Sequence, residues 1–219
     1  IYVAALAVNA KANGAALSST EVQQYVNSMV HEDIDDHEPI SYDPGYIGAD
    51  LLTIPGFIDE LKEYTLDTSV VKNEPMAFCG ALAMMSLLTG RKVRDTMGTR
   101  TNLYVLGLAP SASGKNNPRK TNKRLADKIG MSEHLGDNFA SFEGIEDRIA
   151  QKKTMLFQND EFDHFLQAIS SKSETRFGRM AAMFLQMYGD SGSTYMCRPL
   201  AHQEARTIDQ PHLSIFGTA

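Results

Sequence analysis

The segment that most constrains the fold joins an apolar stretch, residues 102–108, to a helix predicted over residues 114–129 through a loop of small residues. The loop ends in Gly114-Lys115, and the small side chains before it let backbone N–H groups point inward. The start of the helix adds the positive end of its dipole. This arrangement predicts a site for a phosphate group, and a glycine-rich turn with a surface lysine is the alternative.

Apolar segments and helical segments alternate along most of the remaining chain. Short apolar runs predict strands, and apolar side chains spaced three or four residues apart predict helices. Strands separated by helices favour an α/β fold, in which a mostly parallel sheet is flanked by helices and ligands lie at the carboxyl ends of the strands. The predicted strands are 102–108, 138–142, 154–158 and 213–216, the predicted helices are 18–30, 55–64, 76–88, 114–129, 143–151 and 174–188, and segments 195–199 and 205–208 are predicted to form a hairpin.

Seven consecutive residues are predicted to surround the phosphates. Lys115 has the position of a lysine that pairs with the outer phosphates, and Asn116 stands where a Ser or Thr usually ligates Mg²⁺. The amide oxygen of Asn116 is still able to ligate the metal or to orient a ligating water. Ala109 replaces the first glycine of the usual pattern. The seven residues are Ser111, Ala112, Ser113, Gly114, Lys115, Asn116 and Asn117.

Polar residues follow two of the other predicted strands. Asp160 and Glu161 follow strand 154–158, and Thr218 follows strand 213–216. We predict that Asp160 holds Mg²⁺, that Glu161 orients an attacking water, and that Thr218 senses the terminal phosphate between the loop and the acids. The alternatives are the acid-rich first turn of a helix for the two acids and a polar turn residue for Thr218.

Charge is unevenly distributed along the chain. Residues 91–128 contain ten Lys and Arg residues against Asp95 and Asp127, so the net charge of −6 leaves −14 for the rest. A basic segment within an acidic chain favours a polyanionic partner such as a nucleoside triphosphate or a nucleic acid. A solvated helix face is the alternative for the basic residues beyond Lys115.

Composition bounds the class of protein and its domains. Cys79 and Cys197 are too few for a disulfide scaffold and lack metal-ligand spacing, which favours a reducing, cytoplasmic setting. No apolar run reaches the ~18–20 residues that span a bilayer, so no membrane partner is expected. The acidic segment 31–39 predicts a linker rather than a metal site. We therefore predict a helical N-terminal part with a linker over residues 1–54 and an α/β core over residues 55–219.

The order of several short motifs resembles a known family. The motifs TGR at 89–91, PSASGKN at 110–116 and NPRK at 117–120 are similar to those of P-loop ATPases encoded beside primase domains in phages, plasmids and other mobile elements. SFEG at 141–144, NDE at 159–161 and LSIFGT at 213–218 are similar to the later blocks of that family. Members often carry a residue without a hydroxyl after the loop lysine, as Asn116 is here. The resemblance covers roughly residues 55–219.

The resemblance implies a replicative, helicase-like ATPase of the broad AAA+/RecA-like class that binds ATP and Mg²⁺. It also implies a homo-oligomeric ring on DNA, single-stranded in our expectation, with hairpin residues Arg198, His202 and Arg206 touching the nucleic acid backbone. Ordinary solvation of the hairpin is the alternative. We expect the last core strand, the lid and the arginine finger to lie beyond residue 219, in a larger protein. Two other functions fit: a P-loop phosphotransferase acting on a small molecule, and a non-hydrolysing nucleotide-binding assembly module.

Overall fold

The computed structural model describes residues 48–137, 142–162, 164–165, 167, 176–197 and 206–219, which belong to the compact unit Tyr46–Ala219. The described helices and strands alternate in the order that the sequence predicts. The helices are α1 (Phe57–Asp67), α2 (Glu74–Thr89), α3 (Asn117–Lys128), α4 (Phe142–Lys152) and α5 (Arg176–Gly189). The strands are β1 (Tyr104–Gly107), β2 (Leu135–Gly136), β3 (Thr154–Asn159), β4 (Thr194–Met196), β5 (Thr207–Asp209) and β6 (His212–Thr218).

Four of the strands form a parallel sheet in the order β1-β6-β3-β2. Strand β6 follows the other three along the chain, yet it lies between β1 and β3. Strands β4 and β5 pair antiparallel as a separate two-stranded sheet, which confirms that these two segments pair. The prediction of an α/β fold with a mostly parallel sheet flanked by helices is therefore confirmed at this level.

Both faces of the sheet are covered by apolar side chains. Successive residues of a strand point to opposite sides, so one strand contributes to the packing on both faces. Met155 and Phe157 of β3 pack in one apolar cluster with side chains of α4, α5 and the β4–β5 pair. Leu156, between them, packs in a second cluster with side chains of α1, α2 and α3. Strands buried on both faces read as nearly continuous apolar runs, which is why β3 and β6 are recognisable in the sequence.

Helix α2 is the central helix of the second cluster. The Asn73 side chain caps its start by accepting a hydrogen bond from Met76 N at 3.1 Å, and Gly90 ends it with φ +39°. The helix contacts α1, α3 and strands β1, β3 and β6. This helix is therefore buried between other elements, and its buried methionines Met76 and Met84 serve as core residues.

One predicted element is wrong where the structure describes it. Phe142 was predicted to end a strand over 138–142, but it begins α4, and the described strand in this region is β2. The reason is that Ile145 and Ile149, both buried, continue a helical spacing from Phe142 that outweighs the strand preference of an aromatic residue. Residues 138–141, the predicted helix 18–30 and the linker 31–39 lie outside the described residues. None of the described helices has the length and apolar character that crossing a bilayer requires.

Candidate functional site

The carboxyl ends of three neighbouring strands bring the predicted site residues to one place. In the sheet register, Gly107 at the end of β1 lies opposite Thr218 of β6, and Asn159 at the end of β3 lies opposite Gly217. Ala109 N donates to Ala219 O (3.0 Å) and so extends the pairing of β1 with β6 into the loop. Because β6 lies between the other two strands, Thr218 lies between the loop after β1 and the acids after β3.

The loop between β1 and α3 has an unusual backbone. Ala112 (φ +62°) and Gly114 (φ +82°) adopt left-handed conformations, and alternation of this kind makes N–H groups converge into an anion-binding concavity. Ser113 N donates to Pro110 O at 3.3 Å, and Asn117 N donates to Gly114 O at 3.1 Å. Within the described part of the chain, the N–H groups of Gly114, Lys115 and Asn116 have no hydrogen-bond acceptor. They remain available at the start of α3.

The connection between α1 and α2, residues 68–73, packs directly against this loop. Asn73 Nδ2 donates to Ser113 O at 3.1 Å, and a Cβ atom on Gly114 would lie only 2.3 Å from Val71 O. Gly114 is therefore required both by its positive φ and by this close approach. On the other side, Asn117 Nδ2 donates to Thr65 O of α1 at 2.8 Å and to Ser69 Oγ of the connection.

A cavity of about 300 Å³ opens between the loop and this connection. Its lining combines two lysines with two apolar side chains that are largely exposed, Val70 (103%) and Val71 (47%). Lys115 is half-buried and, among the described residues, pairs with no carboxylate. The lining residues are Val70, Val71, Ala112, Gly114, Lys115, Asn116, Asn117 and Lys120.

Asp160 is the most highly connected of the predicted site residues. Its carboxylate accepts hydrogen bonds from Thr218 Oγ1 (3.0 Å) and from the Asn116 side chain, and it pairs with Arg119 Nη1 at 3.0 Å. Partial burial acts to raise the pKa of Asp160, but the hydrogen bond from Thr218 and the charge of Arg119 outweigh it, so the pKa lies below its usual value. Asp160 therefore stays ionised at neutral pH.

Glu161, the next residue, differs from Asp160 in its exposure, its backbone conformation and its side-chain contacts. It is exposed, and its backbone adopts φ +57°, a left-handed conformation that costs a non-glycine residue about 1–2 kcal/mol. Within the described residues, its carboxylate has no side-chain partner. Phe162 then turns back over β6, where the missing side chain of Gly217 leaves room for its ring. The chain thus makes a sharp turn at Glu161 that directs its carboxylate to solvent.

The structure gathers some of the predicted site residues and assigns others to structural contacts. Asn116, Asp160 and Thr218 meet at the strand ends, beside the loop 111–115. The Asn117 amide, although it borders the cavity, is hydrogen bonded to the α1 side of the fold. Arg206 forms an exposed ion pair with Asp147 of α4 at 2.6 Å. Arg198 and His202 lie outside the described residues.

Several basic residues of the segment 91–128 are also engaged within the fold. Arg91 pairs with Asp209 (2.8 Å), Lys123 pairs with Asp137 (2.7 Å), and Arg100 donates to backbone carbonyls. The excess of positive charge in this segment is thus in part a structural requirement. Lys115 and Lys120 differ from these because both border the cavity.

Val70, Val71 and Arg119 belong to the site in the structure but are not among the site residues that the sequence predicts. The valines lie some 40 residues before Lys115 in a connection without a motif, so only tertiary structure brings them to the loop. For Arg119 a local signal was present. It lies three residues after Asn116, a spacing that puts two side chains on the same face of a helix.

The residues present fit a magnesium ion. Asp160 and Asn116 provide a carboxylate and an amide oxygen, the hard donors that Mg²⁺ prefers, and one or two carboxylates suffice when substrate phosphates supply further ligands. The described residues contain no cluster of three or more His, Cys, Asp or Glu side chains able to bind a metal alone. The donor set therefore suits a metal that arrives with a phosphate ligand.

Comparison with known proteins adds no assignment: no protein-family model matches the chain, and no curated protein matches it significantly.

Proposed function

We propose that this chain is the ATP-binding and ATP-hydrolysing core of a P-loop, helicase-like motor that acts on DNA. The observation that carries the proposal is the strand order. Because β6 separates β1 from β3, the loop before α3, Thr218 and Asp160 lie side by side at one end of the sheet. In α/β proteins with open parallel sheets, ligands bind at this end.

Each part of the site has a role in this proposal. The N–H groups at the start of α3 and the Lys115 ammonium bind the phosphates, and Val70 and Val71 offer an apolar surface to the nucleoside. Asp160 and Asn116 would hold Mg²⁺, which would offset the charge of the terminal phosphate. Glu161 accepts a proton from the attacking water, and Thr218 donates a hydrogen bond to the terminal phosphate in place of its bond to Asp160.

The test of nucleotide binding uses a fluorescent ATP analogue and the variant Lys115→Ala in the full-length protein. We expect ATP affinity to fall at least about 100-fold, because a charge-assisted contact to a phosphate in a partly enclosed site is lost. Lys128→Ala is the matched control, since it removes an exposed lysine at the far end of α3, the helix that follows the loop, away from the cavity. An unchanged affinity in the Lys115 variant of a folded protein would sink the assignment.

Coupling to DNA rests on the motif resemblance and is tested separately. We expect single-stranded DNA to stimulate phosphate release in the full-length protein, which is also expected to form a ring. Turnover that ignores DNA and requires a small phosphate acceptor would identify a phosphotransferase instead. Lys115-dependent binding without any turnover would identify a non-hydrolysing assembly module.

A further inference from the structure

The guanidinium of Arg119 contacts both of the side chains expected to hold the metal. Arg119 Nη1 lies 2.9 Å from Asn116 Oδ1 and 3.0 Å from Asp160 Oδ2. A single cationic nitrogen therefore joins an amide oxygen and a carboxylate oxygen that come from different elements of the fold. A metal ion coordinated by the same two oxygens would have to displace it.

Packing at the start of α3 holds Arg119 in this position. Pro118, the residue before it, is buried against α2, where a Cβ atom on Gly80 would lie 2.5 Å from the Pro118 Cβ. The first turn of α3 therefore packs directly against α2. The Arg119 side chain is 14% exposed, and its Nε atom is buried without a hydrogen-bond partner in the described part of the chain. Among the described residues, Nη1 is the guanidinium atom that contacts Asn116 and Asp160.

We propose that Arg119 competes with the metal for Asn116 and Asp160. It thereby keeps Mg²⁺ out of the site until a nucleoside triphosphate binds together with the metal. This inference rests on the proposed role of Asp160 and Asn116 as metal ligands. In the protein without nucleotide, Arg119 neutralises the carboxylate and repels a second cation. The phosphates change the balance because they add negative charge for the metal and offer the planar guanidinium a new bidentate partner. Metal alone then binds weakly, and metal with nucleotide binds well.

The test measures binding of Mn²⁺ in the absence of nucleotide by electron paramagnetic resonance, with Mn²⁺ as a probe for Mg²⁺. We expect Arg119→Gln to bind Mn²⁺ at least about tenfold more tightly than wild type, the scale on which a neighbouring charge shifts an ionic equilibrium. Arg119→Lys keeps the charge and should behave as wild type. The double variant Arg119→Gln/Asp160→Asn should lose the gain, which places the bound ion at Asp160.

Lys123→Gln is the matched control, because it removes another cation of α3 that pairs with a different carboxylate, Asp137. Equal Mn²⁺ affinity in wild type and Arg119→Gln would overturn the inference, provided that thermal denaturation shows both proteins to be folded. An equal gain in Mn²⁺ affinity in Lys123→Gln would also overturn it, since the effect would then come from the change in net charge of the protein. The proposed function is separable, because it fails when ATP binding does not depend on Lys115, whatever the Mn²⁺ result.

Discussion

The two ends of the parallel sheet share the same strands but differ in how their polar groups are satisfied. At the amino end, Arg100 donates to Ser191 O (3.0 Å) and Arg91 O (2.7 Å), and Arg91 pairs with Asp209. At the carboxyl end, a cavity is bordered by N–H groups without an acceptor and by Lys115 without a carboxylate partner, as far as the described residues extend, and Glu161 has a left-handed backbone. The amino end holds the fold together, whereas the carboxyl end keeps polar groups available for a ligand.

Changes at the carboxyl end should therefore affect chemistry far more than stability. For Glu161→Gln we expect turnover to fall about 100-fold or more, because a proton acceptor is lost, while ATP affinity stays within roughly twofold. Steady-state phosphate release and fluorescent ATP binding measure the two quantities. Glu60→Gln, at an exposed position of α1, is the control. Full activity of the Glu161 variant would remove this residue from the mechanism.

A second substitution at Glu161 sharpens the comparison, because it separates stability from activity. Glu161→Gly removes the carboxylate and also relieves the left-handed conformation at φ +57°. We expect this variant to lose turnover as Glu161→Gln does. Its free energy of unfolding, measured by denaturant titration, should nevertheless rise by up to about 1 kcal/mol. A loss of stability instead would mean that contacts of the Glu161 side chain support the fold.

Changes at the amino end should have the opposite pattern. His212 begins β6 and is fully buried, and burial together with the charges of Arg100 and Arg91 lowers its pKa to about 4. In the unfolded chain His212 takes up a proton near pH 6.5, whereas in the folded chain it stays neutral until the pH is close to 4. The contribution of His212 to the free energy of unfolding is therefore complete above pH 6.5 and is lost as the pH falls towards 4. From pH 7 to pH 5 the free energy of unfolding should fall by roughly 2 kcal/mol from this group.

Urea unfolding at several pH values checks this prediction. In His212→Gln the fall between pH 7 and pH 5 should shrink by that amount, whatever the stability of the variant at pH 7. ATP affinity at pH 7 should be unchanged, because His212 lies at the end of the sheet opposite the cavity. An identical pH profile in the variant would show that His212 does not titrate as its burial indicates.

The smallest expected effect concerns the apolar wall of the cavity. Val71→Ser should lower ATP affinity by about twofold to fivefold, since part of an apolar contact worth about 1 kcal/mol is removed. Val93→Ser is a close control because both valines are 47% exposed and only Val71 lines the cavity. Affinity for inorganic tripolyphosphate should not change. An equal loss for tripolyphosphate would mean that Val71 supports the loop instead of the nucleoside.

The sequence predicts features that depend on consecutive residues and misses contacts between residues that are distant in the chain. The sequence predicts α2 over residues 76–88, within two residues of its observed bounds Glu74–Thr89, because Asn73 and Gly90 flank an apolar run. The loop after β1 was likewise visible from consecutive residues. The contact of Arg119 with Asp160 and the approach of Val71 to Gly114 join distant parts of the chain. No spacing rule encodes such contacts, because they depend on how the helices pack on the sheet.

The late position of β6 in the sequence also bears on how the protein reaches its native state. Until this strand inserts, β1 and β3 have no partner on their facing sides, and each exposes unpaired backbone groups and apolar side chains that invite aggregation. Such long-range pairing raises contact order and slows folding. The strand that joins β1 to β3 also carries Thr218, so the candidate site forms in the same step in which these two strand edges become paired.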